Sequence, residues 1–212
     1  MKKLITLTAA LAITGTALFA QKVSFGIKGG VQQTSIALKA DQGDNDYKLE
    51  SPSIGFQIGG VADIAISSHF SVQPNLLFNY RSGQFNLGEG ADFTQMSVDI
   101  PINALYRHNG FFIGAGPNIS YALSGKAKPF DDAEEDMEFY EGIEDEDAPI
   151  KRFEIGVNAL MGYQFPSGFG ISANFTRGLN NLVNDDDQAE VMKFNFKQFG
   201  LTFSYMFNAK KK

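Results

Sequence analysis

The sequence has no cysteine, no tryptophan and only two histidines, and its anions outnumber its cations. Without cysteine there is no disulfide framework, no thiolate metal site and no cysteine-linked lipid anchor. A net charge of −6 argues against nucleic acid as a partner, because neutralising phosphates takes basic patches. With His69 and His108 alone, the usual groups for proton transfer near neutral pH are scarce. A long helical period is missing too: past residue 20, no segment repeats its apolar positions at helical spacing.

What is present begins with Lys2 and Lys3, followed by an apolar stretch from Leu4 to Phe19 interrupted only by Thr and Gly. Ala20 then offers a small residue before Gln21. Charge, apolar run and small residue in that order are the layout of a secretory signal. Residues 1–20 are therefore expected to be a signal peptide and 21–212 the mature domain. Leu18 stands where a small residue is preferred, which makes Ala17 the second cleavage position. The apolar stretch is short for a membrane helix, which needs about twenty residues.

The mature region alternates with period two, so successive side chains of an extended strand face opposite sides. Phe199, Leu201, Phe203, Tyr205 and Phe207 fall on one face, against Gly200, Thr202, Ser204 and Met206. Phe169, Ile171, Ala173 and Phe175 alternate with Gly170, Ser172, Asn174 and Thr176. Residues 153–164 repeat the pattern, and five more segments follow it near 23–36, 54–66, 70–81, 93–106 and 111–123. The links between the eight are alternately short (67–69, 108–110, 166–168) and long and polar (39–52, 82–92, 124–150, 181–194). Every long link thus falls at one end of an up-and-down sheet, as in transmembrane barrels with tight periplasmic turns and longer outer loops. The expected fold is all-β: an eight-stranded antiparallel up-and-down transmembrane β-barrel.

The lumen of eight strands is barely wide enough for side chains. Small and polar residues fit it, whereas the Phe, Tyr, Ile and Val face fits lipid. A soluble lipocalin-like carrier, with the apolar face inward, is the alternative, and a small-solute passage through a glycine-rich lumen is another. Lys28, Arg81 and Arg107 share the polar face with Asp63, Asp99 and Glu154, and buried charges need partners, so these six are expected to form an internal network. Phe70, Tyr106, Phe111, Tyr163 and Phe169 near one set of strand ends, and Phe78, Tyr80, Tyr121 and Phe153 near the other, are candidates for two interfacial girdles. Pro74, Pro101 and Pro117 fall inside strands and remove ladder donors, which predicts bulges or gaps there.

Several of these stretches resemble one family. Gly26-Ile27-Lys28-Gly29-Gly30, Gln73-Pro74-Asn75-Leu76-Leu77, Ile100-Pro101-Ile102-Asn103-Ala104-Leu105-Tyr106-Arg107, Gly114-Ala115-Gly116-Pro117 and Phe175-Thr176-Arg177-Gly178-Leu179-Asn180-Asn181-Leu182 occur in order along the mature chain. The chain resembles the PorT-like outer-membrane β-barrel proteins of Bacteroidota, a family associated with gliding and type IX secretion. The resemblance implies an outer-membrane location, a barrel fold and no assigned activity. It also implies that the three strand prolines are features of the family. The chain departs from the common barrel end in that Phe207 is followed by a basic tail, Asn208 to Lys212.

No catalytic, cofactor or metal site is assigned from the sequence. Both histidines fall in short links, and no Gly-x-Ser-x-Gly elbow accompanies the serines. Carboxylates crowd 131–147 (Asp131, Asp132, Glu134, Glu135, Asp136, Glu138, Glu141, Glu144, Asp145, Glu146, Asp147), with Asp185, Asp186, Asp187 and Glu190 at the same end. Such runs are usually solvated, and the EF-hand spacing with its Gly is absent. The reading is a non-enzymatic monomer in contact with outer-membrane lipid, lipopolysaccharide and envelope or secretion proteins. Mass spectrometry of the exported protein is expected to find Gln21 at its N-terminus; retention of Met1 to Ala20 would refute the export signal.

Overall fold

The computed structural model describes residues 22–42, 45–85, 91–129, 137–138, 150–182 and 192–207. The expected signal segment, nearly all of the acidic stretch and the basic tail lie outside these residues. Eight long strands are β1 Lys22–Gln42, β2 Asn45–Ala65, β3 Phe70–Phe85, β4 Ala91–His108, β5 Phe111–Pro129, β7 Phe153–Gln164, β8 Phe169–Gly178 and β9 Met192–Met206. A two-residue strand, β6 Met137–Glu138, lies against β5. Each long strand pairs antiparallel with its neighbours in sequence order, and β1 pairs with β9 from Gly26↔Met206 to Ala40↔Met192. The sheet is therefore a closed eight-stranded barrel.

The alternation read from the sequence decides which way the strands face. Val31, Ile58, Leu76, Val157, Phe175 and Phe203 are exposed on the outer wall, while Gln32, Asn79, Asn118, Glu154, Asn174 and Thr202 are buried inside. A lipocalin-like arrangement requires the reverse. The apolar face meets lipid.

Inward glycines make so tight a ring possible. A Cβ on Gly59 would overlap the Leu76 carbonyl oxygen, and one on Gly116 would overlap that of Ile102. These glycines let neighbouring strands approach closely. At the short-turn end Leu105, Phe112 and Leu160 form a buried apolar cluster, an inward plug within a face expected to be small and polar. The β4–β5 turn holds Asn109 and Gly110 at φ 49° and 88° between the partners His108 and Phe111. Two positive φ values are what a two-residue hairpin matching strand twist requires, and Asn-Gly supplies them.

Two expectations about the connections need correction. The stretches 39–52 and 82–92, read as loops, are largely strand: the β1–β2 ladder runs to Gln42↔Asn45 and the β3–β4 ladder to Phe85↔Ala91. Polarity marks where lipid ends, but pairing continues beyond it because the barrel has already set the register. Likewise β5 extends to Pro129 and β9 begins at Met192.

The prolines behave as expected. Ladder pairing is interrupted between Val61↔Asn75 and Ile64↔Val72, between Pro74↔Ile102 and Leu77↔Asp99, and between Pro101↔Asn118 and Ala104↔Ala115. Asn75 Nδ2 donates to the carbonyls of Gln73 (2.9 Å) and Pro101 (3.3 Å) beside these gaps.

Gly59→Val is expected to destabilise the barrel by about 2 kcal/mol, the cost of overpacking. Gly60→Val, where a Cβ meets nothing within 4 Å, is expected to change stability by less than about 0.5 kcal/mol. Urea unfolding of the two variants in detergent, read by the mobility shift of folded barrels, makes the comparison; equal effects would show that inner glycines do not set the curvature.

Candidate functional site

Polar and ionisable side chains gather at three places: the middle of the lumen, its short-turn mouth and the turn bearing the histidines. In the middle, Arg81 of β3 has its Nη2 3.5 Å from Asp99 Oδ2 on β4, and both side chains are almost fully buried. Arg81 Nη1 donates to Gln95 Oε1 at 3.0 Å. With the Gln198 amide oxygen turned toward the guanidinium, it accepts from Arg81 Nε at 2.7 Å. The Phe196 ring lies 5.0 Å from the same guanidinium. Asp99 Oδ1 accepts from Ser97 Oγ at 3.1 Å and from Ser120 Oγ. One side chain thus ties β3, β4 and β9 across the lumen, because all these positions lie on the inward parity of their strands.

At the short-turn mouth Arg107 Nη2 pairs with Asp63 Oδ2. Its Nε donates to Ser71 Oγ at 3.2 Å, while Ser71 and Gln73 donate to the same carboxylate at 3.3 and 3.2 Å. The guanidinium stacks over Phe112 of the apolar plug, 5.4 Å from the ring centroid. This pair is partly open to solvent, at 27% and 15% of side-chain surface.

The six charges read from the sequence therefore do not make one network. Arg81, Asp99, Arg107 and Asp63 form two pairs, and Asp99 and Arg107 stand about 26 Å apart along β4 at a strand's rise per residue. Parity puts a residue on the inner face; only register and height put it beside a partner. Lys28 and Glu154 are outside both ion pairs. Glu154 packs against Gly178, where a Cβ would overlap its carboxylate. Lys28 and Asp99 line a cavity of about 10 Å³ shared with Gln57, Asn118 and Asn174, space for about one water.

The histidines lie where the sequence placed them, exposed at the short-turn end. Their rings stack 6.1 Å apart, and His69 stacks equally on Tyr106. Ser68 Oγ is 2.8 Å from His69 Nδ1, a local contact that sequence reading missed. Among the described residues no carboxylate bonds either imidazole, so the third member that would orient a catalytic histidine is not supplied. At the short-turn end Phe111, Tyr163, Phe165 and Phe169 succeed one another at centroid spacings of 4.8, 4.8 and 6.0 Å, Phe203 follows at 6.0 Å, and Phe70 and Tyr106 form a further ring pair at 5.3 Å. At the opposite end Tyr80 stacks on Phe56 at 5.3 Å, while Phe78, Tyr121 and Phe153 stand exposed on the wall.

The segment after β8 carries another role that the sequence left unassigned. Asn180 Oδ1 accepts from Ile155 N at 2.8 Å and its Nδ2 donates to Phe153 O at 2.9 Å. Lys151 N donates to Leu182 O, and Leu182 is buried. An asparagine amide here does the work of a strand backbone, folding the chain back across β7. The Gly-Leu-Asn-Asn-Leu run after a strand was the available signal.

A closed eight-stranded barrel with a lipid-facing apolar wall and a packed polar lumen can be compared with known families. The outer membrane protein beta-barrel domain matches this chain over residues 19–184. The chain belongs to that family. Solved structures with this shape include Ail, the attachment invasion locus protein of Yersinia pestis, in complex with the heparin analogue sucrose octasulfate. It is 14% identical, with a TM-score of 0.52 over 88% of this chain and 99% of Ail. Neisserial surface protein A is 12% identical, with a TM-score of 0.51 over 87% of this chain and 98% of its own. At these identities the likeness concerns the fold. No curated protein sequence matches the chain. As an outer membrane beta-barrel protein, the chain resides in the outer membrane.

The two ion pairs of this outer membrane barrel differ in burial, and so should the consequences of breaking them. Asp99→Asn leaves a buried guanidinium without its carboxylate and is expected to destabilise by about 3–5 kcal/mol. Arg107→Gln, at the solvated mouth, is expected to cost about 1 kcal/mol. Urea titrations of the refolded variants test the order; Arg107→Gln proving the more damaging would reverse it.

Proposed function

We propose that this outer-membrane barrel is not an enzyme and works as an interaction protein of the envelope, a PorT-like accessory of secretion that engages partners through its long-loop end. The supporting observation is the filled lumen: the Arg81 cluster spans it, and the cavity beside Lys28 holds about one water. A lumen so packed favours work on the outside of the barrel over passage through it. The exposed histidine turn, with no orienting carboxylate among the described residues, lies at the periplasmic end and gives no support to hydrolysis. The long-loop end instead offers strands prolonged beyond the apolar wall and two carboxylate-rich connections, a platform on a rigid scaffold of the kind that carries binding. That Ail was solved in complex with the heparin analogue sucrose octasulfate is in keeping with ligand binding by a barrel of this shape. The first twenty residues serve as the export signal, and the barrel acts as a monomer among lipid, lipopolysaccharide and envelope proteins.

Photo-crosslinkers placed in the outer arms, at Lys39 and Gln84, are expected to capture envelope proteins from intact cells, whereas one at Ser67 in a periplasmic turn is not. Deleting the protein is expected to lower delivery of secreted cargo to the cell surface, and the purified barrel is expected to give no steady conductance in planar bilayers. Capture confined to Ser67, unchanged secretion, or reproducible channel steps would each count against the reading.

A further inference from the structure

The whole chain has two histidines, and folding sets them side by side at the short-turn end. His69 directly precedes β3, and His108 ends β4. These strands are laddered at Phe70↔Tyr106, and Arg107 N donates to His69 O at 2.7 Å, so the backbone beneath both rings is fixed. The His69 ring lies 6.1 Å from that of Tyr106 and 6.1 Å from that of His108. Both histidines are exposed.

Two neutral imidazoles this close are a paired nitrogen donor. With metal–nitrogen bonds of about 2.0–2.1 Å, two imidazoles on one ion have ring centres about 5 Å apart at a tetrahedral angle and about 6.4 Å apart when opposed. The observed 6.1 Å falls inside that span. The ring planes are 15° from parallel, so the rings, and not the backbone, must turn to aim one nitrogen of each at a shared point. Exposed side chains make such turns within nanoseconds.

The neighbouring polar groups suit this chemistry. Ser68 Oγ stands 2.8 Å from His69 Nδ1. A hydroxyl that accepts the Nδ1 proton leaves the Nε2 lone pair for a metal, and ligating histidines are commonly oriented in this way. The Asn109 amide nitrogen is 3.2 Å from His108 Nε2. Turning the amide puts its oxygen there to accept a proton, which leaves Nδ1 as the donor. Among the described residues no carboxylate or third histidine completes a cluster with the pair, which disfavours calcium and magnesium, ions that take oxygen ligands. Imidazole nitrogen suits copper, nickel and zinc, and copper(II) binds such donors most tightly of the divalent series. Two protein ligands with open positions make a site that loads and releases, unlike the closed four-ligand sites that hold a fold together.

We propose that His69 and His108 form an exchangeable site for one late transition-metal ion, copper(II) above zinc(II), at the short-turn mouth of the barrel. The site lies at the opposite end from the long connections, so it adds to the envelope role and does not depend on it. An ion bound there also ties the β2–β3 turn to the end of β4.

The test uses the full-length barrel, refolded in detergent without a polyhistidine tag, titrated with micromolar copper(II) and read by electron paramagnetic resonance. Wild type is expected to take up one ion whose spectrum carries splitting from two imidazole nitrogens. His69→Asn and His108→Asn are each expected to weaken binding roughly tenfold or more and to leave a one-nitrogen spectrum. Ser68→Ala, which keeps both ligands, is expected to weaken it less. Protons compete for the same lone pairs, so copper is expected to leave on acidification from neutral pH to about pH 5. Because both side chains are exposed, the metal-free variants are expected to unfold in urea as wild type does, with folding checked by the mobility shift of the unheated protein. Binding that survives both substitutions in folded protein, an oxygen-only spectrum, or copper retained at about pH 5 would overturn the site and point to the acidic connections.

Discussion

Hydrocarbon offers no water to an unpaired amide, so a sheet that crosses it must have no edge. The β1–β9 ladder meets that demand, and much else in the molecule is a consequence of closing the ring with only eight strands. The enclosed space is too narrow for large side chains on every inward position. Inner faces must therefore take glycine where strands crowd, as at Gly59 and Gly116, and compact polar groups elsewhere. Large apolar residues have one remaining place, the outer wall, and lipid rewards them there. Polar groups on the inner face must then satisfy one another, since little water can enter. Arg81 does this with carboxylate, amide and aromatic partners from three strands.

The prolines strain this scheme, and the way they are accommodated shows how the inner face supports the ladder. Three adjacent strand pairs, from β2–β3 to β4–β5, each lose pairing beside Pro74, Pro101 or Pro117. A carbonyl freed in the middle of a lipid-embedded wall is costly unless something reaches it. Asn75 reaches two, on its own strand and on β4. The breaks lie on neighbouring strands and face a lumen lined with amides, and one of these, Asn75, replaces part of what the backbone gives up. Asn180 makes the same substitution at the opposite end, bonding β7 backbone groups where β8 has ended.

How much of this could be read beforehand depends on which interaction carries the information. Strand identity, facing and the closed eight-stranded form follow from alternation, which is local; Phe199 to Phe207 declare their parity without reference to any other strand. The proline gaps are legible for the same reason, a missing donor being a property of the residue. Partner choice is not local. Lys28 and Glu154 have the same parity as Arg81 and Asp99 and face the same part of the lumen, yet neither makes an ion pair there: Lys28 shares a small cavity with Asp99, and Glu154 packs against Gly178. The apolar plug escaped because Leu105, Phe112 and Leu160 come from three neighbouring strands and meet only once the register between those strands is set. Strand ends were misjudged because polarity reports the edge of the bilayer, while hydrogen bonding runs past it to Gln42 and Phe85.

The two ends of the barrel follow different physical rules. At the short-turn end the Asn109-Gly110 turn, the aromatic belt, the plug and the Arg107 cluster lock the strands in place over a short distance. Cooperative units of this kind hold their structure independently of what the rest of the chain does. That leaves the outer end free to spend its composition on charge. Arg177 and Lys197 sit on the wall itself, whereas carboxylates crowd the connections after β5 and after β8. A phosphorylated membrane surface attracts the first and repels the second, and both effects fade within a Debye length of about 10 Å.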